Sequence, residues 1–221
     1  MSRDEYLAAW STWHGGTDPA ASRLVRGWLS TAYALARPIA ALPPIAVTAL
    51  GLAVAVGAVG PALAGGTWLI ASGLLIGFSG LLDSLDGALA IATGRASRRG
   101  YVLDSAVDRL TEVAYAAALW VAGAPGWLAT AFGALCWLPD YLRARAGQAG
   151  VAETGSISVW ERPTRVAFAG FTLGGAGILA ALGAGAYVGV VVTTGAAVGT
   201  ALGAVGTAQL GVALRRALGD A

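Results

Sequence analysis

Four aspartates stand close together in a sequence that has few other charged residues. Asp83 and Asp86 are three positions apart, and Asp104 and Asp108 are four apart. These spacings place two side chains on one face of an α-helix, and a short connection lets the two faces oppose each other. Ionised carboxylates gathered in an apolar environment are costly to bury. Bound divalent cations would remove that cost, so the pattern predicts a metal site.

The residues around the aspartates narrow the choice of metal. No His or Cys stands nearby, and oxygen-only ligands favour Mg²⁺, Mn²⁺ or Ca²⁺ over zinc. Four carboxylates suit one or two ions, and two ions about 4 Å apart are common in phosphoryl chemistry. Gly87, next to Asp86, leaves space for a ligand.

Two other interpretations of the aspartates stay open at this point. One is a salt-bridge cluster with neighbouring arginines. These are Arg95, Arg98, Arg99 and Arg109. The other is a cation pathway through the membrane, which is disfavoured because no polar residues continue outward from the cluster.

The composition indicates an all-α integral membrane protein. Hydrophobic residues make up 57% of the 221 residues and charged residues 12%, whereas soluble domains carry about 25% charged residues. Gly, Pro and small-residue breaks divide the long apolar runs into six segments, which we interpret as transmembrane helices. We predict these spans at about 45–60, 66–92, 101–122, 126–146, 163–182 and 185–214.

The region before the first span is less apolar. Residues 24–42 carry Arg26 and Arg37 beside Trp28 and Tyr33, which is typical of an amphipathic helix lying in the membrane interface. A seventh span is the alternative. The domain organisation expected is a polar N-terminal segment 1–23, a membrane domain 24–216 and a short tail 217–221.

The arginines predict the orientation. Apart from Arg109, every Arg falls in the N-terminal region, in or beside the connections between spans 2–3 and 4–5, or at the C-terminus. Positive charge marks the cytoplasmic side, so both termini and the aspartates should face the cytoplasm. We expect a multi-pass protein of the cell (plasma) membrane. A net charge of +2 gives no reason to expect a nucleic-acid partner.

Two segments carry a resemblance to a known family. Residues 81–110, "LLDSLDGALAIATGRASRRGYVLDSAVDRL", match seven of the eight fixed positions of the CDP-alcohol phosphotransferase signature D-x2-D-G-x2-A-R-x8-G-x3-D-x3-D. Residues 141–165, "YLRARAGQAGVAETGSISVWERPTR", resemble the Y-x-K-A-R-A and E-R-P-x-R segments of its bacterial phosphatidylinositol-phosphate synthase branch. The resemblance covers residues 24–216.

This resemblance implies a reaction and a set of roles. The phosphatidyl group of a CDP-linked lipid, usually CDP-diacylglycerol, passes to an alcohol, and CMP leaves. Asp83, Asp86, Asp104 and Asp108 would hold two ions, Mg²⁺ or Mn²⁺, and Asp108 would also take the acceptor hydroxyl's proton. Thr48, Gly87 and Ser97 match positions that contact the CDP-lipid.

The second segment implies an acceptor site for a phosphorylated polyol such as inositol phosphate or glycerol phosphate. Its residues would be Arg143, Arg145, Arg162 and Arg165. Arginine forks suit phosphate. The alternative is that these arginines reflect cytoplasmic orientation and attraction to anionic membrane lipids.

Three polar residues of the family pattern are aliphatic here. Ile91 replaces the signature Arg, Ile45 replaces an Asn before the first span, and Leu210 stands where an acceptor-binding Arg is expected. We interpret these changes as retained chemistry with altered binding. The alternatives are cardiolipin-synthase-like transfer to a lipid alcohol, a non-catalytic CDP-lipid-binding relative, or a carrier.

Small residues recur at four-residue spacing in the last two spans, which favours close helix packing or a homodimer face. The tryptophans, Trp160 included, fall mostly near predicted span ends, where interfacial anchoring explains them.

Overall fold

The computed structural model describes residues 1–13, 18–21, 23–151 and 158–219. Parts of the predicted polar segment, 14–17 and 22, and of the tail, 220–221, lie outside these residues. The described residues form α-helices and short 3₁₀ turns, without strands. The α-helices are α1 (Arg3–Trp13), α2 (Arg23–Ala36), α3 (Pro44–Gly57), α4 (Val59–Ala64), α5 (Trp68–Ala92), α6 (Arg98–Val121), α7 (Gly126–Gln148), α8 (Arg162–Ala181) and α9 (Val188–Gly219).

The all-α prediction is confirmed, and the apolar helices support a membrane protein. Among the described residues, four helical segments are long and apolar enough to cross a bilayer: Pro44–Ala64, Trp68–Ala92, Arg162–Ala181 and Gly185–Gly219. Helices α6 and α7 are as long, but α6 carries charges through its first half and α7 through its last third. Six spans therefore stay a prediction.

The helices pack into two compact units. Unit 1 contains Met1–Ala53 and Ser79–Asp108, and unit 2 contains Val54–Phe78 and Arg109–Ala221. Unit 1 therefore holds all four aspartates of the signature, and unit 2 holds all four candidate acceptor-site arginines.

Helix α1, in unit 1, was not predicted from the polar N-terminal sequence. It is anchored by Tyr6, which is fully buried and stacks on Tyr33 of α2 with ring centroids 5.2 Å apart. The Tyr33 hydroxyl donates a hydrogen bond to the Met1 carbonyl. Burial raises the pKa of Tyr6 to about 12. The N-terminal segment is thus held by aromatic packing against the following helix.

Unit 2 is packed around small residues. A Cβ on Gly73 of α5 would lie 2.5 Å from the Gly170 carbonyl oxygen of α8, so these helices touch backbone to backbone. Gly199, Gly203 and Gly206 of α9 leave room for the Trp160 side chain. The interfacial interpretation of Trp160 is therefore wrong: its side chain is fully buried in the core, because glycines on α9 accommodate the ring.

Candidate active site

The turn between α5 and α6 brings the two aspartate pairs into one region of unit 1. Helix α5 ends in a Schellman motif in which Gly94 adopts φ +68°. The Gly94 N–H donates to Ile91 O at 3.1 Å, and the Arg95 N–H donates to Ala90 O at 2.8 Å. Glycine enters this left-handed region without the steric cost of a Cβ. The chain then reverses quickly into α6.

Ser97 caps the start of α6. Its hydroxyl oxygen accepts a hydrogen bond from the Gly100 N–H at 3.1 Å, which satisfies one of the amides left unpaired at a helix N-terminus. Ser97 is exposed. The residue that resembles a CDP-lipid contact therefore also fixes where α6 begins.

Three of the four aspartates converge. Asp83 on α5 and Asp104 and Asp108 on α6 each place one carboxylate oxygen so that the three atoms lie within 4.8 Å of one another. All three side chains are partly buried. Three oxygen ligands at this spacing fit a hard divalent cation such as Mg²⁺ or Mn²⁺.

Asp86 lies beside this group and is more deeply buried. Its side chain is 3% exposed, it interacts electrostatically with Asp104 and Asp83, and its Oδ2 atom has no hydrogen-bond partner among the described residues. A buried carboxylate oxygen without a partner is expensive, and a cation would satisfy it. We call Asp83, Asp86, Asp104 and Asp108 the acid group.

Thr48 and Gly87 lie next to Asp86. The buried Thr48, on α3, interacts with the Asp86 carboxylate, and its hydroxyl donates a hydrogen bond to Pro44 O at 3.1 Å. Gly87 is exposed, and a Cβ built there would meet no atom within 4 Å. The structure therefore places two of the three predicted CDP-lipid contacts next to Asp86, the most buried member of the acid group, with open space beside Gly87.

Unit 2 contains a second concentration of charge, which we call the ion-pair network. Its members are Arg109, Glu112, Asp140, Arg143, Glu161, Arg162 and Arg165. Arg165, 1% exposed, lies at its centre. It donates to Glu112 Oε1 at 2.7 Å, to Asp140 Oδ2 at 2.6 Å and to the Trp160 carbonyl at 2.9 Å.

A bidentate ion pair between Arg143 and Glu161 extends the network. Arg143 donates to both Glu161 oxygens, at 2.6 and 3.0 Å. Glu161 also accepts from the backbone N–H and the hydroxyl of Ser158, each at 2.8 Å. Burial opposes the ionisation of Glu161, but these hydrogen bonds outweigh it, so the pKa of Glu161 lies below its ordinary value.

The candidate acceptor-site arginines differ in their surroundings. Arg143, Arg162 and Arg165 belong to the network, and Arg162 donates to the Thr111 hydroxyl at 3.3 Å. Arg145 is exposed and donates to Gln148 at 2.5 Å. The sequence interpretation missed Glu112 and Asp140 as partners. The only sequence signal was their spacing, Glu112 three residues after Arg109 and Asp140 three before Arg143.

Comparison with known proteins decides the family. The model of the CDP-alcohol phosphatidyltransferase family matches residues 41–202 of this chain. The chain belongs to this family. The match includes the whole acid group, so the resemblance inferred from the aspartate spacing is confirmed.

Two curated proteins with related sequences are archaeal. The archaetidylinositol phosphate synthase of Aeropyrum pernix is 41% identical over 86 residues, which are 39% of this chain and 44% of that protein. The corresponding protein of Pyrococcus horikoshii is 36% identical over 98 residues, 44% of this chain and 52% of that protein. The chain thus spans about half the length of the curated relatives that it matches.

A solved structure of the family shares the fold. The crystal structure of Mycobacterium tuberculosis phosphatidylinositol phosphate synthase, in complex with manganese and citrate, superposes with a TM-score of 0.66 at 26% identity. The match covers 83% of this chain and 88% of that chain. These relatives agree with the branch indicated by residues 141–165.

This chain departs from the family pattern at sites of different exposure. Ile91 is 8% exposed and Leu210 1%, so both side chains belong to the apolar interior. Ile45, in the first turn of α3, is 48% exposed. The two interior replacements therefore remove possible polar contacts and leave aliphatic packing in their place.

Proposed function

We propose that this protein transfers the phosphatidyl group of a CDP-linked lipid, such as CDP-diacylglycerol, to an alcohol and releases CMP. The observation that carries this proposal is the convergence of Asp83, Asp104 and Asp108 within 4.8 Å in a chain of the CDP-alcohol phosphatidyltransferase family. The acid group would hold two ions, Mg²⁺ or Mn²⁺, which would neutralise the diphosphate and the charge that develops on the phosphoryl oxygens.

In this reaction the acceptor hydroxyl oxygen bonds to the lipid-side phosphorus of the diphosphate. The bond from that phosphorus to the bridging oxygen breaks, and CMP leaves with that oxygen. Asp108 accepts the hydroxyl proton as general base. Thr48, Gly87 and Ser97 contact the CDP-lipid, and the open space beside Gly87 supports a close approach there.

The acceptor in this proposal is a phosphorylated polyol, inositol phosphate or glycerol phosphate, bound by Arg143, Arg145, Arg162 and Arg165. The network contains four guanidinium groups and three carboxylates, so it has one positive charge in excess when all seven groups are ionised. An excess of positive charge favours an anionic acceptor. Arg143 and Arg165 would have to share their N–H groups between carboxylate and phosphate.

The proposed topology has six spans and cytoplasmic termini, with α2 in the interface of the plasma membrane, and the protein forms a homodimer. The exposed Val25 and Trp28 on α2 support the interfacial placement. Single cysteines at Thr67 and Gln148, in a Cys136→Ala background, test the orientation with an impermeant maleimide. Intact cells should label the first and not the second.

The decisive assay is release of CMP from CDP-diacylglycerol by the purified full chain, with Mg²⁺ or Mn²⁺. Inositol phosphate, glycerol 3-phosphate, serine and phosphatidylglycerol are supplied separately as acceptors. We expect metal-dependent release with one of the phosphorylated polyols. Folded protein that releases no CMP with any acceptor contradicts the proposal, and release with phosphatidylglycerol alone supports cardiolipin-synthase-like transfer.

A non-catalytic CDP-lipid-binding role is the second candidate. The buried, apolar Ile91 and Leu210 favour it, because each stands where the family pattern has an arginine. This candidate predicts that CDP-diacylglycerol binds in a metal-dependent manner and is recovered intact with every acceptor.

A further inference from the structure

The turn after α5 contains an arginine whose backbone position is fixed. In the Schellman motif at Gly94, the Arg95 N–H donates to the Ala90 carbonyl at 2.8 Å. Ala90 lies four residues after Asp86, about 6 Å along the helix. The motif therefore returns Arg95 to the last turn of α5, about one helical turn beyond the buried end of the acid group.

The side chain of Arg95 points to the start of α3. Its Nη1 atom donates to the Leu42 carbonyl oxygen at 2.9 Å, and α3 begins two residues later at Pro44. Thr48, one turn into α3, reaches the Asp86 carboxylate. The chain around the start of α3 thus interacts both with Asp86 of α5 and with Arg95 in the turn after α5.

The surroundings of Arg95 leave its positive charge available to bind an anion. Its hydrogen-bond partner is a neutral carbonyl, and no carboxylate lies within salt-bridge distance of it in the part of the chain that the structure describes. The residue is exposed. Arg143 and Arg165, by contrast, are already bound to carboxylates. An exposed arginine that one N–H···O bond orients is suited to phosphate.

We propose that Arg95 binds a phosphate group of the CDP-lipid diphosphate, as a substrate-binding residue beside the acid group. The inference rests on the proposed function and deepens it. A diphosphate that meets cations at the acid group keeps oxygens on its other side, and a pre-oriented guanidinium would bind them. The phosphate of anionic membrane phospholipids could bind a guanidinium in the same way. The test therefore distinguishes the CDP-lipid diphosphate from phospholipid headgroups.

The test compares binding of CDP and of cytidine to the full chain by calorimetry, in neutral detergent with Mg²⁺ and without added phospholipid. Cytidine has the same base and ribose but no phosphate. We expect Arg95→Gln to raise the Kd of CDP about tenfold, equal to about 1.4 kcal/mol, and to leave cytidine binding unchanged. Arg95→Lys should show a smaller rise, because a single ammonium replaces the planar fork.

Turnover supplies a second readout on the same preparations. Arg95→Gln should raise KM for CDP-diacylglycerol about tenfold with kcat within about threefold of wild type, as expected when binding is lost equally in ground and transition states. Arg99→Gln is the matched control, since it removes another exposed arginine close by in the sequence, and both constants should stay at wild-type values.

Three outcomes overturn the inference. One is a CDP Kd within twofold of wild type in Arg95→Gln. Another is an equal loss for cytidine, which shows that Arg95 only holds the α3 segment. The third comes from a separate measurement of binding to phosphatidylglycerol vesicles: a defect confined to that binding assigns Arg95 to bulk lipid. If Arg95→Gln does not fold, Arg95→Lys decides by the same criteria. Wild-type protein that neither binds CDP nor turns over refutes the proposed function itself.

Discussion

The acid group of unit 1 and the ion-pair network of unit 2 both contain buried carboxylates, but the two regions differ in the charge of what surrounds them. In the acid group, oxygens of Asp83, Asp104 and Asp108 lie within 4.8 Å of one another. In the network, carboxylates alternate with guanidinium groups, as where Arg165 contacts Glu112 and Asp140. Like charges meet in the first region and opposite charges in the second.

This difference indicates that the acid group is a binding site, whereas the carboxylates of the ion-pair network stabilise the fold. Carboxylates that approach one another raise the free energy of the folded protein until a cation binds, so the acid group keeps its binding capacity for a ligand. The network pairs its carboxylates with guanidinium groups of the protein, and their cost of desolvation is offset by short ion pairs and hydrogen bonds. We therefore expect neutral substitutions of the carboxylates to affect function in the first region and folding in the second.

The largest expected effect is the loss of activity in Asp108→Asn. An asparagine keeps the shape of the side chain but cannot take a proton, so CMP release should fall about a thousandfold, within the range for loss of a general base. The unfolding temperature without metal should stay equal to wild type or rise, because a repelling charge is removed. Asp4→Asn, at an exposed acid of α1, is the control and should be active. Wild-type rates in Asp108→Asn would refute its role as base.

Glu112→Gln should produce the opposite result. Its side chain is fully buried between Arg109 and Arg165, at 3.0 and 2.7 Å. Neutralising one partner of a buried pair leaves an uncompensated charge and costs about 3–5 kcal/mol. We expect a large fall in the unfolding temperature, measured in detergent by a thermal shift. A Glu112→Gln protein as stable as Asp83→Asn would remove the contrast between the two regions.

The comparison also shows what the sequence could and could not predict. The acid group was predictable because both members of each aspartate pair lie on one helix, at spacings of three and four that fix their common face. The network was predictable only in part. Arg162 and Arg165 were found by their resemblance to a family segment, but their partners Glu112 and Asp140 come from other helices.

In the fold, too, features set by neighbouring residues were predictable from the sequence, and features set by long-range contacts were not. Helix α5 follows from its apolar composition, and α6 from the helical spacing of Asp104 and Asp108, which are properties of neighbouring residues. Helix α1 was missed because its polar residues give no amphipathic signal, and its anchor is the stacking of Tyr6 on Tyr33. A contact between residues so far apart in sequence is set by tertiary packing, which spacing alone does not reveal.

Metal binding should distinguish the two regions by an effect of intermediate size on the unfolding temperature. A ligand that binds only the folded state at 100 times its Kd stabilises that state by about 2.7 kcal/mol. Mg²⁺ or Mn²⁺ should therefore raise the unfolding temperature of wild-type protein and of folded Glu112→Gln by similar amounts. The double variant Asp83→Asn/Asp104→Asn should show no rise, and an undiminished rise would place the metal elsewhere.

The smallest expected effect concerns Glu161, at the edge of the network. Burial disfavours its charge, but the hydrogen bonds from Arg143 and Ser158 prevail and hold the pKa below the ordinary 4.5. A lowered pKa in the folded state gives stability that is present above the unfolded value and is lost as the pH falls through the folded value. Wild type should therefore be more stable than Glu161→Gln at pH 6, and the difference should shrink below about pH 4.

The effect should be smaller than that of Glu112→Gln because the Glu161 side chain is 28% exposed. Unfolding temperatures of both proteins across this range provide the measurement, and a difference that grows on acidification would contradict the assignment of Glu161 as an ionised partner of Arg143.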